Sequence, residues 1–174
     1  GARMSEPAPV VFIVDDDESV RSSLRRLLMS LGLAVEVFES AKAFLDASPR
    51  DVPGCLILDV QMPGQSGLDL QAELAARELA LPIIFLTAHG DIPMSVRAIK
   101  AGAVEFLTKP VQERDLVNAI QAAIESSGAA RAQRLELLEL KARYATLTPR
   151  EREVMAGVVA GAMNKQIAAE FGTS

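Results

Sequence analysis

Short apolar runs and helical periodicities take turns along the first 127 residues. Val10–Val14 is continuously apolar and reads as a strand covered on both faces. Ser19–Gly32 follows, with Val20, Leu24, Leu27, Leu28 and Leu31 on one helical face and Gly32 as the stop. Ala34–Phe38 predicts a second strand. Ser40–Ala47 predicts a short helix capped by Ser40, and Cys55–Asp59 a third strand beyond the loop Pro49–Gly54. Turn residues fill Met62–Gly67, a helix is expected over Leu68–Leu79, and Pro82–Thr87 reads as the fourth strand. Pro93–Gly102 has proline at its first helical position and glycine at its end; Glu105–Thr108 is the fifth strand and Glu113–Ser126 the fifth helix. Such alternation predicts an α/β fold, a (βα)5 doubly wound parallel sheet with helices on both faces.

After residue 127 the pattern changes. Ser127-Gly128-Ala129-Ala130 reads as a break, and 131–145 as a charged helix with Leu135, Leu138 and Lys141 on one line and Leu137, Leu140 and Tyr144 on another. That helix either links to a partner or lies on its own domain. Thr148-Pro149-Arg150-Glu151 is a capping box with proline at the first helical position. It predicts a helix to Ala160 stopped by Gly161, then a second over Asn164–Phe171 with Gly172 as terminator. The organisation expected is a tag remnant or disordered start over 1–8, a main domain over 9–127, a linker helix over 128–146 and a small helical piece over 147–174.

Composition narrows the classes. With 174 residues and 49% apolar content the chain can bury a core. No apolar run approaches the roughly 18 residues a membrane span needs. One cysteine, Cys55, sits in an apolar run, so no disulfide within the chain is available, which suits a reducing cytoplasm. His89 is the single histidine, and no Cys/His cluster has zinc spacing. The net charge of −5 argues against bulk nucleic-acid binding, but it is uneven: residues 128–174 carry seven Lys/Arg against five Asp/Glu, whereas the part before them is strongly acidic.

The strand ends carry the chemistry. Ligands in open parallel sheets bind beyond the carboxyl ends of the strands. Strand one ends in Asp15 and Asp16, strand three in Asp59, strand four in Thr87 and strand five in Lys109. Clustered carboxylates repel unless a cation or a lysine offsets them. Carboxylates are hard oxygen ligands suited to Mg²⁺, and a hydroxyl and an ammonium beside them suit an anionic oxygen. Together they point to phosphoryl transfer, with a carboxylate able to become an aspartyl-phosphate. Asp17 reads as a first-turn helix acid.

The blocks Val14-Asp15-Asp16-Asp17, Leu58-Asp59-Val60-Gln61-Met62-Pro63-Gly64, Leu86-Thr87-Ala88 and Phe106-Leu107-Thr108-Lys109-Pro110 resemble the signature blocks of bacterial response-regulator receiver domains over about residues 9–126. Thr87–Val96 is similar to the FixJ type. The resemblance implies a flavodoxin-like receiver with strand order 2-1-3-4-5, a signalling protein and not an enzyme. It implies Asp59 as phosphoacceptor, Asp16 on Mg²⁺ (or Mn²⁺) directly, Asp15 mainly through water, and the Gln61 backbone carbonyl completing the metal set. Lys109 would pair with phosphoryl oxygens across a cis bond to Pro110. Thr87 and Phe106 would switch on phosphorylation, and His89 and Gln61 sit where the family tunes phosphate loss. Val96, Arg97, Lys100 and Ala101 are candidates for a phosphorylation-dependent homodimer face. The donor would be a phosphohistidine on a sensor histidine kinase. Val111 departs from the aromatic residue often found after the Lys-Pro pair.

Leu147–Val154 with Asn164-Lys165-Gln166-Ile167-Ala168 resembles the start of a LuxR-type helix-turn-helix output domain, with Lys165 and Gln166 as candidate DNA contacts. In such motifs the second helix of the turn reads the major groove. No counterpart of that helix follows Ser174, so the parent is expected to bind promoter DNA for transcription regulation and this chain to bind it poorly. Two other readings compete. Asp15-Asp16-Asp17-Glu18-Ser19 is faintly similar to haloacid-dehalogenase-type phosphatases, which would leave Asp59 without a role. A purely structural binding module would leave the acidic pocket unused. A phosphoryl adduct on Asp59 separates both from the receiver reading.

Overall fold

The computed structural model describes residues 8–47, 52–88 and 90–170, with the backbone alone at 162, 163 and 165–170. Its elements run β1 (Val10–Val14), α1 (Glu18–Ser30), β2 (Ala34–Phe38), α2 (Ala41–Asp46), β3 (Gly54–Leu58), α3 (Gly67–Ala76), β4 (Ile83–Thr87), α4 (Ile92–Lys100), β5 (Glu105–Thr108), α5 (Glu113–Ala145) and α6 (Pro149–Glu170). Two compact units divide the chain, one up to Arg131 and one from Ala132 onward.

The five strands form one parallel sheet in the order β2-β1-β3-β4-β5, the doubly wound topology expected. The three central strands are buried at every position, which is why they read as unbroken apolar runs. Alternation along β1 divides the core in two. Phe12 and Val14 join Phe44, Leu56, Leu58, Leu70 and Phe85 on the side of α2 and α3. Val11 and Ile13 join Leu24, Leu28, Ile57, Ile84, Leu116 and Ile120 on the side of α1 and α5. Each such side chain, fully buried, contributes about 1.5–3 kcal/mol. Cys55 lies in the second layer, free and buried.

The helices start where the chain offers side-chain caps. Asp17 caps α1, accepting from the backbone N–H of Ser19 and Val20. Ser40 caps α2 and Asp91 caps α4. Ser66 and Asp69 close a full capping box on α3. Each cap is worth about 1 kcal/mol.

Two expected breaks are absent. α5 is one helix of 33 residues that passes through Ser127-Gly128-Ala129-Ala130. Ser127 is buried there, and its hydroxyl accepts a hydrogen bond from the Gly54 N–H at 3.1 Å, so the segment is anchored to the start of β3. Likewise, α6 is one helix of 22 residues where two were expected. Neither Gly128 nor Gly161 takes a positive φ. A glycine in helical conformation costs only about 1 kcal/mol, which helical neighbours on both sides outweigh. In the second unit, Thr148 and Glu151 make the reciprocal bonds of the predicted capping box at 2.9 and 3.2 Å.

Candidate phosphoacceptor site

Parallel strands that start in register end in register. Val14 pairs with Leu58, and Leu58 with Phe85. The residues after Val14 and Leu58, the last residue of β4, Thr87, and the residue after its partner Thr108 therefore emerge at one edge. Backbone hydrogen bonds continue past the strands there: Asp59 N–H to the Val14 carbonyl at 3.1 Å, and Lys109 N–H to the Thr87 carbonyl at 2.8 Å. Asp15, Asp59, Thr87 and Lys109 are thus carried by main-chain bonds between neighbouring strands.

The side chains converge. Carboxylate oxygens of Asp15, Asp16 and Asp59 lie within 4.8 Å of one another, with Asp15 and Asp59 buried and Asp16 exposed. The Lys109 ammonium donates to Asp15 Oδ2 at 2.8 Å and to Asp59 Oδ2 at 3.4 Å. The remaining oxygens also accept: Asp15 Oδ1 from the Asp17 N–H at 2.9 Å and Asp59 Oδ1 from the Gln61 N–H at 3.1 Å. Thr87 is fully buried at the end of β4. Lys109–Pro110 is a cis peptide bond, as the resemblance implied.

Two carboxylates at such separations repel by about 3–4 kcal/mol at an effective dielectric near 20. Burial pushes the Asp15 carboxyl above its ordinary range, and the hydrogen bonds from Lys109 and Asp17 only partly restore it. Burial alone would pull the Lys109 ammonium below its ordinary range. The Asp15 and Asp59 carboxylates outweigh that, and its net shift is upward. Three carboxylates and one ammonium leave two negative charges around a pocket of hard oxygens, which is what a divalent cation neutralises. The donor set fits such an ion.

Not every predicted residue lies at this edge. Phe106 is half-buried on β5, its ring centroid 5.9 Å from that of Phe85. Gly90 lies against it: a Cβ there would stand 2.6 Å from Phe106 Cε1. Val96, Arg97 and Lys100 are exposed on α4, with Ala101 exposed at its C-cap. Gln61 is exposed beside Asp59. His89 and the side chains of Lys165 and Gln166 lie outside the described residues.

Two participants carry no signal in the sequence patterns, and a third has a different role from the one expected. Arg21 donates from Nη1 to the Asp15 carbonyl at 2.7 Å, bracing the pocket from the first turns of α1. Asp17, expected as a first-turn acid, is instead the N-cap of α1, and the acid in the first turn is Glu18. Gly67 donates to the Val60 carbonyl at 2.9 Å, and a Cβ at Gly67 would stand 2.2 Å from the Asp59 carbonyl oxygen. Only a residue without a side chain lets α3 start so close to that backbone.

Comparison with known proteins agrees with this geometry. The family described as response regulator receiver domain matches residues 11–121. The chain belongs to that family. A second family, bacterial regulatory proteins of the luxR family, matches residues 145–174. Nodulation protein W of Bradyrhizobium diazoefficiens is 50% identical over 163 residues, 94% of this chain and 72% of that protein. Response regulator protein TodT of Pseudomonas putida is 48% identical over 171 residues, 98% of this chain and 75% of that protein. Among solved structures, the response regulator StyR superposes with a TM-score of 0.80 at 48% identity, covering 96% of this chain and 84% of that one. Full-length FixJ from B. japonicum gives 0.66 at 41% identity, covering 98% and 83%. The chain is therefore a two-component response regulator with a luxR-type DNA-binding segment, a signalling protein and not an enzyme. A receiver implies a histidine-kinase partner, and a luxR-type segment implies DNA. Among the described residues no helix is long and apolar enough to cross a membrane.

Proposed function

We propose that Asp59 accepts a phosphoryl group from a phosphohistidine of a sensor kinase in the cytoplasm, and that the modification changes self-association and DNA-binding output. The observation that carries this is the meeting of Asp15, Asp16, Asp59 and Lys109 in one pocket. A lone pair on one carboxylate oxygen of Asp59 attacks phosphorus. The nitrogen–phosphorus bond breaks, its electron pair returns to the imidazole, and an acyl phosphate remains on Asp59. Lys109, already between the two buried carboxylates, shifts its donors to the phosphoryl oxygens. The Thr87 hydroxyl donates to another, and Phe106 follows Thr87 inward. Asp15, Asp16, Asp59 and the Gln61 carbonyl would hold Mg²⁺, or Mn²⁺ in its place, which supplies charge neutralisation at the phosphoryl oxygens.

The acyl phosphate adds about −1.5 to −2 charge and three strong acceptors. The α4 surface bearing Val96, Arg97, Lys100 and Ala101 then pairs with that of a second copy, and the luxR-type segment contributes Lys165 and Gln166 toward promoter DNA. The segments 9–127, 128–146 and 147–174 act as receiver, linker and output. Intact mass after incubation with acetyl phosphate and Mg²⁺ tests this. The wild type gains one phosphoryl group, and Asp59→Asn or chelation of the metal abolishes the gain. Uptake that survives both removes the mechanism.

A further inference from the structure

Helix α4 is thinly held. Ala98 is its one fully buried residue among those described. Ile92, Val96 and Ile99 are 79%, 44% and 45% exposed. Apolar packing therefore gives it little to resist sliding or tilting. One directed contact reaches it from α3: Gln71 Nε2 donates to the Ala98 carbonyl at 2.9 Å, and both residues are buried. The partner is a carbonyl, so the amide must present its NH₂ group. That carbonyl also accepts the Ala103 N–H at 3.0 Å, where the chain leaves α4. A buried amide deprived of its acceptor, or moved into apolar surroundings, is costly, so the bond defines one position of α4.

The start of α3 is equally constrained. Its first residue, Gly67, is in close contact with the backbone of Asp59 and Val60, and the Ser66–Asp69 capping box fixes the first turn. α3 is therefore clamped to the phosphoacceptor's main chain at its start and, one turn later, to the last turn of α4.

We infer that Gln71 is a positioning residue, whose buried amide holds α4, and with it the surface of Val96, Arg97, Lys100 and Ala101, in the arrangement that a second copy recognises. The dimer part of this rests on the function proposed above. Preorganised surfaces bind more tightly because less freedom is lost on pairing. Releasing α4 therefore weakens the dimer without touching the chemistry at Asp59.

The test uses the full chain carrying Gln71→Met, which keeps the length and removes the donor. Amide hydrogen exchange of the metal-free monomer is read at Ala101, Gly102 and Ala103 and at β3. The variant is expected to exchange about fivefold to tenfold faster at the α4 positions, and equally with the wild type in β3. With Mg²⁺ and beryllofluoride, sedimentation is expected to show a dimer about fivefold to tenfold weaker, while acetyl phosphate labels Asp59 within about twofold of the wild-type rate. Gln71→Glu, which sets a carboxylate against the carbonyl, is expected to speed α4 exchange at least as much. Unchanged α4 exchange in both variants overturns the assignment, as does equal acceleration in β3 or a dimer that tightens. If the wild type itself fails to pair, the dimer reading falls, and the exchange data still decide whether Gln71 holds α4.

Discussion

Lys109 and Asp15 lie 94 positions apart in the chain, and the ammonium of one stands 2.8 Å from a carboxylate oxygen of the other. The pairing does not fully compensate the buried acid, since the Asp15 carboxyl remains shifted above its ordinary 3.8. The folded protein thus holds that proton more tightly than the unfolded chain. The stability contributed by protonated Asp15 is complete below 3.8 and is lost as pH rises through the raised folded value. With metal chelated, Asp15→Asn is expected to melt a few degrees above the wild type at neutral pH, with the gap closing toward about pH 3. Thermal melts across that range check the sign; a variant that melts lower at neutral pH would show the ion pair dominating burial.

At the start of α6 the sign is opposite. The Thr148 N–H and hydroxyl hold the Glu151 carboxyl below its ordinary 4.5. Its contribution to the helix start is present above 4.5 and is lost as pH falls through the lowered folded value. A carbon-detected NMR titration is expected to place the Glu151 midpoint below 4.5, and Thr148→Ala, which keeps the N–H and removes the hydroxyl, to bring it only part of the way back.

Two glycines should respond in opposite directions to the same substitution. A Cβ on Gly128 meets nothing within 4 Å, and its backbone is helical. Gly128→Ala is expected to stabilise by about 0.5–1 kcal/mol. At Gly67 the Cβ would stand 2.2 Å from a backbone oxygen that cannot move aside. Gly67→Ala is expected to cost about 2–3 kcal/mol or more. Denaturant midpoints report both.

Cys55 is fully buried, and burial pushes its thiol up to about 12. At pH 8 about one thiol in ten thousand would be ionised, and that one inaccessible. Alkylation by iodoacetamide is expected to be at least about a thousandfold slower in the native chain than in denaturant.

Gly90→Ala would press a methyl onto the Phe106 ring, 2.6 Å from Cε1. The ring is the far end of a side chain and can turn, so the fold should survive. The expected effect is a changed Phe106 ring environment and altered beryllofluoride-dependent self-association, seen by NMR and by sedimentation. Unaltered spectra would show the ring free to yield.

Strands buried on both faces declare themselves as apolar runs, so β1, β3 and β4 were legible from residue types alone. So was the edge where their polar ends meet, because a parallel sheet places every carboxyl terminus on one side. What stayed hidden depends on tertiary contacts. Glycine at 128 looks like a break until Ser127 is seen bonded to Gly54. Gln71 sits in an ordinary helical pattern, and nothing local says that the residue is only 5% exposed and that its amide bonds to another helix. Arg21 is one of several arginines on α1, and only the fold selects it to brace the Asp15 carbonyl.

The strand order leaves β2 and β5 each with one open flank. Glu36 stands in the middle of β2 and Glu105 begins β5, which is only four residues long. A stray strand adding to either rim would have to dehydrate a carboxylate before gaining its ladder. The same topology that gathers the acids at one end therefore also discourages runaway stacking of many molecules into fibres.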